Sequence, residues 1–472
     1  MKKIFILFIS LYTIISCRIP QKIALQPTTD ESISTVFKAD SINSAKQGYE
    51  TFITDQSLKK IIDTVLSYNP DFRNAIQRIE YARAQSRISN ALLYPQVNLF
   101  PQSSLRKFGL YTMDGAGNIV TDIEKGKLVP IHLPDFYLGA QSSWEIDIWS
   151  KLKNRRKADY ARFLASAETK NLIQTSLVAE TSSLFYAWKA AHQNKKLLEE
   201  TILLQTEVVA LAKVQKEAGQ ITELAVQQFF AQQKNFEGML KSVHLEILNI
   251  ETALKILVGK KTKQDILQIE SGTSKELPNV YAGLAYDLIQ NRPDVRQAEW
   301  MLKASNYDVA SARAAFYPSL VLNSAIGLQA YRTGLLFNLP SSLAYSVIGG
   351  FVGPVINRGL VKAEYSKASA MQKEALNNYE STLNKSVLEV SQQIKTIEQL
   401  KEMFYAKEIE ASTLKSSIET ATDLFKTGRA NYLDILLSRQ NALRANMELI
   451  DIKKQQFIST VNLYRALGGG WR

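Results

Sequence analysis

The sequence is poor in the residues that chemistry most often needs. A single cysteine, Cys17, in 472 residues leaves no partner for an internal disulfide and, beyond position 17, no thiol nucleophile. The three histidines, His132, His192 and His244, stand far apart with no i, i+3 or i, i+4 companion, so the spacing of metal-ligating imidazoles is absent. No Gly-Lys-Ser/Thr phosphate loop and no Gly-x-Ser-x-Gly elbow occurs, and carboxylate pairs such as Glu199-Glu200 read as solvated helix faces. The expectation is a protein with no catalytic site, no metal and no cofactor. Proline (12) and glycine (21) are sparse, which leaves room for very long helices. Beyond the N-terminus no apolar run approaches the 20 or so residues a transmembrane helix needs, so a membrane crossing requires a closed β-barrel. The net charge of +12 comes with no nucleic-acid-binding motif, and nucleic acid is not an expected partner.

The N-terminus carries the first positive signal. Lys2 and Lys3 precede an apolar run from Ile4 to Ile15, too short for a span but suited to an export signal over residues 1–16. Ile14-Ile15-Ser16-Cys17 resembles a bacterial lipobox, in which Cys17 is diacylated and begins the mature chain. Residue 18 is Arg, not the Asp that in some bacteria holds lipoproteins at the inner membrane. A lipid-anchored linker is then expected over 17–54. A mature chain without a free thiol suits an oxidising periplasm.

Self-similarity organises the remainder. Pro70, Asp71, Arg73, Ala75, Tyr94 and Pro95 recur in the same order as Pro293, Asp294, Arg296, Ala298, Tyr317 and Pro318, and Glu217-Ala218-Gly219 has a counterpart in Lys426-Thr427-Gly428. Two repeats follow, 55–262 and 263–472, each reading helix, Tyr-Pro stop, strand pair, very long helix, glycine turn, long helix. Proline disfavours the α-region in the residue before it, so Tyr94 and Tyr317 leave their helices and the chain becomes extended. The strand pairs are expected at about 95–149 and 318–356. Between His132 and Trp149, Leu138, Ala140, Trp144, Ile146 and Ile148 alternate with Gln141, Ser143, Glu145 and Asp147. That period fits a barrel wall between lipid and water, and equally a soluble two-faced sheet. Phe136, Tyr137, Trp144 and Trp149 are candidates for an aromatic girdle. The basic run Lys151, Lys153, Arg155, Arg156 and Lys157 reads either as a headgroup contact or as a solvated helix start.

From Lys151 to Ala218 there is neither proline nor glycine, which allows one helix of about 100 Å. Its partner, from Gln220 to Val258, sets Phe229, Phe236, Leu240, Val243, Ile247, Ile250, Leu254 and Leu257 at heptad spacing, with Gln233 in the one polar slot. In the second repeat Leu433, Leu436, Leu443, Met447, Ile450, Phe457, Val461 and Tyr464 do the same. Gly219 and Gly428 stand where each hairpin turns. Four strands per chain cannot close a barrel, and open edges are not tolerated in lipid. Symmetric association solves this, three copies giving twelve strands and a ring of helices.

Several segments resemble one family. Asn291-Arg292-Pro293-Asp294-Val295-Arg296-Gln297-Ala298-Glu299, Ser143-Trp144-Glu145-Ile146-Asp147-Ile148-Trp149, Phe316-Tyr317-Pro318, Gly428 to Leu436 and the tail Val461 to Trp471 are similar to the TolC-like outer-membrane factors, lipoprotein branch. The resemblance implies a mainly α trimeric channel-tunnel with a twelve-stranded transmembrane β-barrel, long coiled-coil hairpins through the periplasm and a mixed belt that uses the segments near 259–292. It implies a homotrimer in the bacterial outer membrane, touching outer-membrane lipid. Its helical tips, Ala218, Gly219, Gln220, Thr427, Gly428 and Arg429, would meet a periplasmic adaptor protein linked to an inner-membrane resistance-nodulation-division pump. The function implied is passive multidrug efflux; a type I protein-secretion duct and a lipid-anchored scaffold without a pore are the alternatives. In the family the periplasmic end is pinched early in the last helix. Here Leu433, Asp434, Leu437 and Gln440 are the gate candidates, with Leu437 and Gln440 where the family run has an aspartate and an arginine.

Overall fold

The computed structural model describes residues 44–259, 290–353 and 358–472. Cys17, the leader, most of the linker, the start of the expected second repeat and the end of the expected last strand lie outside them. The helices are α1 (Tyr49–Phe52), α2 (Gln56–Tyr68), α3 (Pro70–Ala91), α4 (Met113–Asn118), α5 (Lys151–Glu217), α6 (Glu223–Val258), α7 (Pro293–Ala314), α8 (Arg358–Lys426) and α9 (Tyr432–Ala466). The strands are β1 (Gln96–Arg106), β2 (Asp122–Glu124), β3 (Lys127–Leu128), β4 (Leu133–Ile146), β5 (Ser319–Ala330) and β6 (Leu343–Val352). The chain divides into two units, one holding the sheet (Tyr81–Phe163 and Trp300–Asn377) and one, largely helical, holding most of the long hairpins.

The sheet is antiparallel in the order β1-β4-β5-β6, and its outer strands have no further partner among the described residues. Register assigns its faces. Gln96, Asn98 and Gln102 stand opposite Ser143, Gln141 and Tyr137, and those three stand opposite Asn323, Ala325 and Gln329. On the other face Val97, Leu99 and Leu105 lie with Phe136, Leu138, Trp144, Leu320, Leu322, Ile326, Leu328, Tyr345, Val347 and Phe351. No core of the described residues covers that apolar face: Leu99 is 86% exposed and Tyr345 77%. Side chains alternate in a strand, so one face is oily and bare while the other is polar. Phe100, Val321, Ile348 and Val352 interrupt the polar face.

The girdle expectation needs correcting for Tyr137. Register puts it on the polar side, with its ring over the paired Gly139 and Gly327. Trp149 lies beyond β4, stacked on Tyr317 at 4.6 Å, with its indole N–H donating to the Pro318 carbonyl at 2.9 Å. Of the basic run, Lys151 pairs with Glu145, Arg156 donates to Asn90 at 3.3 Å and Lys157 sits 5.6 Å from the Tyr307 ring, so much of this charge is used within the chain.

The helical core gathers α2, the middle of α5, α6 and the end of α9. Leu58, Ile61, Ile62 and Val65 from α2 are buried with Phe236, Val243, Ile247, Ile250 and Leu254 of the α6 stripe. Tyr464 is buried with its ring stacked on Phe52 at 3.9 Å and its hydroxyl donating to the Gln47 carbonyl at 2.7 Å. Two joins of the same design anchor the hairpins. Asn69, just before Pro70, donates to the carbonyl of Leu257 at 2.7 Å, and Arg292, just before Pro293, donates to that of Ala466 at 2.7 Å. Each return helix then turns at a left-handed glycine, Gly259 (φ 69°) or Gly468 (φ 88°), packed onto the same join. Arg292 also grips Asp294 (3.0 and 2.6 Å) and Glu389 (2.9 Å), while the Trp471 indole donates to the Asn291 carbonyl at 3.1 Å. The family-like Arg-Pro-Asp motif and C-terminal tail are therefore one clasp.

A Cβ at Gly259 would lie 2.5 Å from Cδ of Pro70, whereas one at Gly219 (φ 71°) would meet nothing within 4 Å. Gly219→Ala should cost only the left-handed backbone penalty, roughly 1 kcal/mol. Gly259→Ala should cost clearly more, read as the larger drop in thermal midpoint of the detergent-solubilised protein by circular dichroism. Equal drops would contradict the packing described.

Candidate functional site

Both hairpins turn by the same local chemistry. At the first tip Gly219 is left-handed and the N–H of Gln220 reaches back to the carbonyl of Gln215 at 2.9 Å. At the second, Gly428 has φ 73° and the N–H of Arg429 reaches Leu424 at 2.9 Å. These are helix ends closed by a six-to-one hydrogen bond, which requires positive φ at the glycine. The chain then restarts on a side-chain cap. The Thr222 hydroxyl accepts from the N–H of Ala225 at 3.3 Å, and the first tip carries a Lys216–Glu223 ion pair at 2.5 Å. Asn431 accepts from the N–H groups of Leu433 (2.7 Å) and Asp434 (3.2 Å), while Asp434 accepts from the N–H of Asn431 at 2.9 Å. This reciprocal capping box satisfies orphan donors of α9. Ala218, Gly219, Gln220, Thr427, Gly428 and Arg429 are all exposed.

The start of α9 has two unlike faces. Tyr432 and Leu436 pack against buried Val209, Ala212, Val226 and Phe229 of the first hairpin, and the Tyr432 and Phe229 rings meet edge to face at 6.0 Å. Ile435 is buried on the same side. The opposite side is bare. Leu433 and Leu437 are 41% and 46% exposed, and Gln440 is exposed one turn later. Positions i, i+4 and i+7 share a helix face, so these three form one stripe. Asp434 is exposed beside it, with Oδ2 committed to the cap. Heptad spacing expects Leu433 within the packed seam. The structure turns it outward because Tyr432, Ile435 and Leu436 fill the inward face.

Sequence reading missed Arg439. It is half-buried on α9, its Nε has no hydrogen-bond partner, and burial holds the guanidinium below its usual range with the Glu207 carboxylate opposing. Nothing in the local sequence separates such an arginine from a solvated one. The capping box was missed as well, although Asn-x-x-Asp at 431–434 is a local signal for it. Among the described residues no group of three or more His, Cys, Asp or Glu is placed to hold a metal, and no helix is long and apolar enough to cross a membrane.

The sequence pattern of the outer membrane efflux protein family matches residues 61–260 and 284–469. The chain belongs to the outer membrane efflux protein family. Among its relatives, the cation efflux system protein CusC of Escherichia coli is 26% identical over 454 residues, covering 96% of this chain and 93% of CusC. The probable outer membrane lipoprotein SilC of Salmonella typhimurium is 25% identical, covering 93% and 92%. The crystal structure of CusC, described in terms of transmembrane channel formation, superposes with a TM-score of 0.80 at 25% identity over 96% of this chain and all of the other. This efflux protein is an outer-membrane channel component, mostly helical, in a family of transport ducts.

Asn431→Ala removes the two hydrogen bonds that the Asn431 side chain accepts, leaving only the backbone N–H of residue 431 to donate to Asp434, and should cost about 1 kcal/mol at that helix end. The check is amide hydrogen exchange: faster exchange over Tyr432–Leu436, with the end of α9 unchanged. Unchanged protection at the tip would contradict the role given to Asn431.

Proposed function

We propose that three copies of this efflux protein close a twelve-stranded barrel in the outer membrane and form a passive duct carrying small molecules, drugs among them, from the periplasm to the exterior. One observation carries the reading: among the described residues, a four-stranded sheet with an uncovered apolar face, a polar face and two unpaired edges. The apolar face suits lipid, the polar face suits water, and each edge needs a strand from another copy. The chain is read as two copies of one unit, 55–262 and 263–472. The matched joins at Asn69 and Arg292 support that reading.

The remaining assignments follow from the same picture. The exposed tips Ala218, Gly219, Gln220, Thr427, Gly428 and Arg429 would dock a periplasmic adaptor, and through it an inner-membrane resistance-nodulation-division pump that supplies the energy. The relative named as an outer membrane lipoprotein supports diacylation of Cys17. Leu433, Leu437 and Gln440, repeated around a three-fold axis, would form the periplasmic constriction. Rings of leucine gate by dewetting and rings of carboxylate favour cations, a role open to Asp434.

Planar-bilayer recording tests the duct directly. The purified protein should give small or flickering single-channel currents, and Leu433→Ala/Leu437→Ala should raise the conductance severalfold. Asp434→Asn should lower the preference for K⁺ over Cl⁻ in a salt gradient. No current from the double variant, with the protein folded, would end the duct reading. For the anchor, Cys17→Ser should abolish metabolic labelling by radioactive palmitate; retained labelling would refute the assignment.

A further inference from the structure

The charged residues of β1, β4, β5 and β6 are Arg106, Asp135 and Glu145. All three lie on the polar face, and none is left alone. The Arg106 guanidinium stands 3.6 Å from the Asp135 carboxylate, which also accepts from the Gln329 amide at 2.8 and 3.0 Å. Glu145 pairs with Lys151 and accepts from the Ser319 hydroxyl at 2.6 Å. These pairs sit toward opposite ends of the strands. The stretch between them carries no charge: amides and hydroxyls line it with Phe100, Ala325 and Ile348 among them, and Asn98, Gln141, Ser143, Asn323, Ser346 and Ile348 border one depression of 310 Å³ there.

An amide offers both a donor and an acceptor, so it can solvate a cation, an anion or a zwitterion without a net field. An unpaired carboxylate or guanidinium on such a wall would instead concentrate one sign of ion and repel the other. We propose that the membrane-spanning wall is a charge-indifferent passage surface, in which Gln96, Asn98, Gln102, Gln141 and Asn323 accept polar solutes of either sign while Arg106–Asp135 and Glu145–Lys151 cancel the charge present. The cargo class that follows is broad: water-soluble organic anions, cations and zwitterions, with any discrimination by charge left to the helical tip. The inference rests on the duct reading and deepens it.

Single cysteines at Asn98, Gln141 and Asn323 test the wall, with Leu99→Cys and Ile326→Cys as apolar-face controls and the unsubstituted protein as blank. Each reconstituted variant is treated with a cationic trimethylammonium and an anionic sulfonate methanethiosulfonate reagent, and the ratio of rates is compared with that for mercaptoethanol. The ratio at all three polar positions should stay within about threefold of the free-thiol value. A larger displacement toward either reagent overturns the inference while leaving the duct intact. Adding Asp135→Asn to Gln102→Cys, four strand residues from Arg106 on the same face, should move the ratio toward the anionic reagent relative to Gln102→Cys alone by freeing Arg106; an unmoved ratio refutes the cancellation. If the polar positions fail to react with either reagent, the duct reading itself falls, and the inference with it.

Discussion

A backbone N–H or C=O that faces hydrocarbon without a partner costs several kcal/mol, and that penalty constrains this molecule more than any side-chain contact. The sheet pairs β1 to β4, β4 to β5 and β5 to β6, and among the described residues there it stops. Its bare leucines, valines and aromatics would be a liability in water, where exposed apolar faces of this size drive association. In a membrane the same face is at home, but the outer edges of β1 and β6 then have no solvent to bond. Closure with further copies meets both demands at once.

The hairpins carry little chemistry and much geometry. Helices of 67 and 69 residues extend about 100 Å each, and their return helices of 36 and 35 residues cover roughly half that length. Register over such distances has to be pinned, and the pins lie at the ends. At one end stand the left-handed glycines and side-chain caps of the tips. At the other stand the joins of Asn69 to Leu257 and Arg292 to Ala466, the second reinforced by Asp294, Glu389 and Trp471. Breaking the Arg292 cluster would leave two carboxylates short of their cation, which explains why so much hydrogen bonding converges on one guanidinium.

Much of this was legible because it is written in local rules. Tyr-Pro steps end α3 and α7, the absence of proline and glycine from 151 to 218 produces α5, and glycines mark both turns. Of the α6 stripe, Phe229, Phe236, Val243, Ile247, Ile250 and Leu254 are buried, while Leu240 and Leu257 are half-buried against the core. What escaped depends on competition or on distance. Leu433 belongs to a heptad pattern yet faces outward, because a helix face holds only so many side chains and Tyr432, Ile435 and Leu436 take it. Tyr137 alternates correctly but lies over a glycine pair that no strand pattern reveals. The small β2–β3 hairpin and α4, within the loop between β1 and β4, carry no strong period. Arg439 and the tail clasp are long-range arrangements, visible only once the helices are packed.

The central claim is that copies complete one another's sheet, and native mass spectrometry of the detergent-released protein tests it most directly. The account predicts one dominant species at three times the mass of the single chain, resistant to dilution. A monodisperse monomer or dimer that keeps its strands ordered would contradict it.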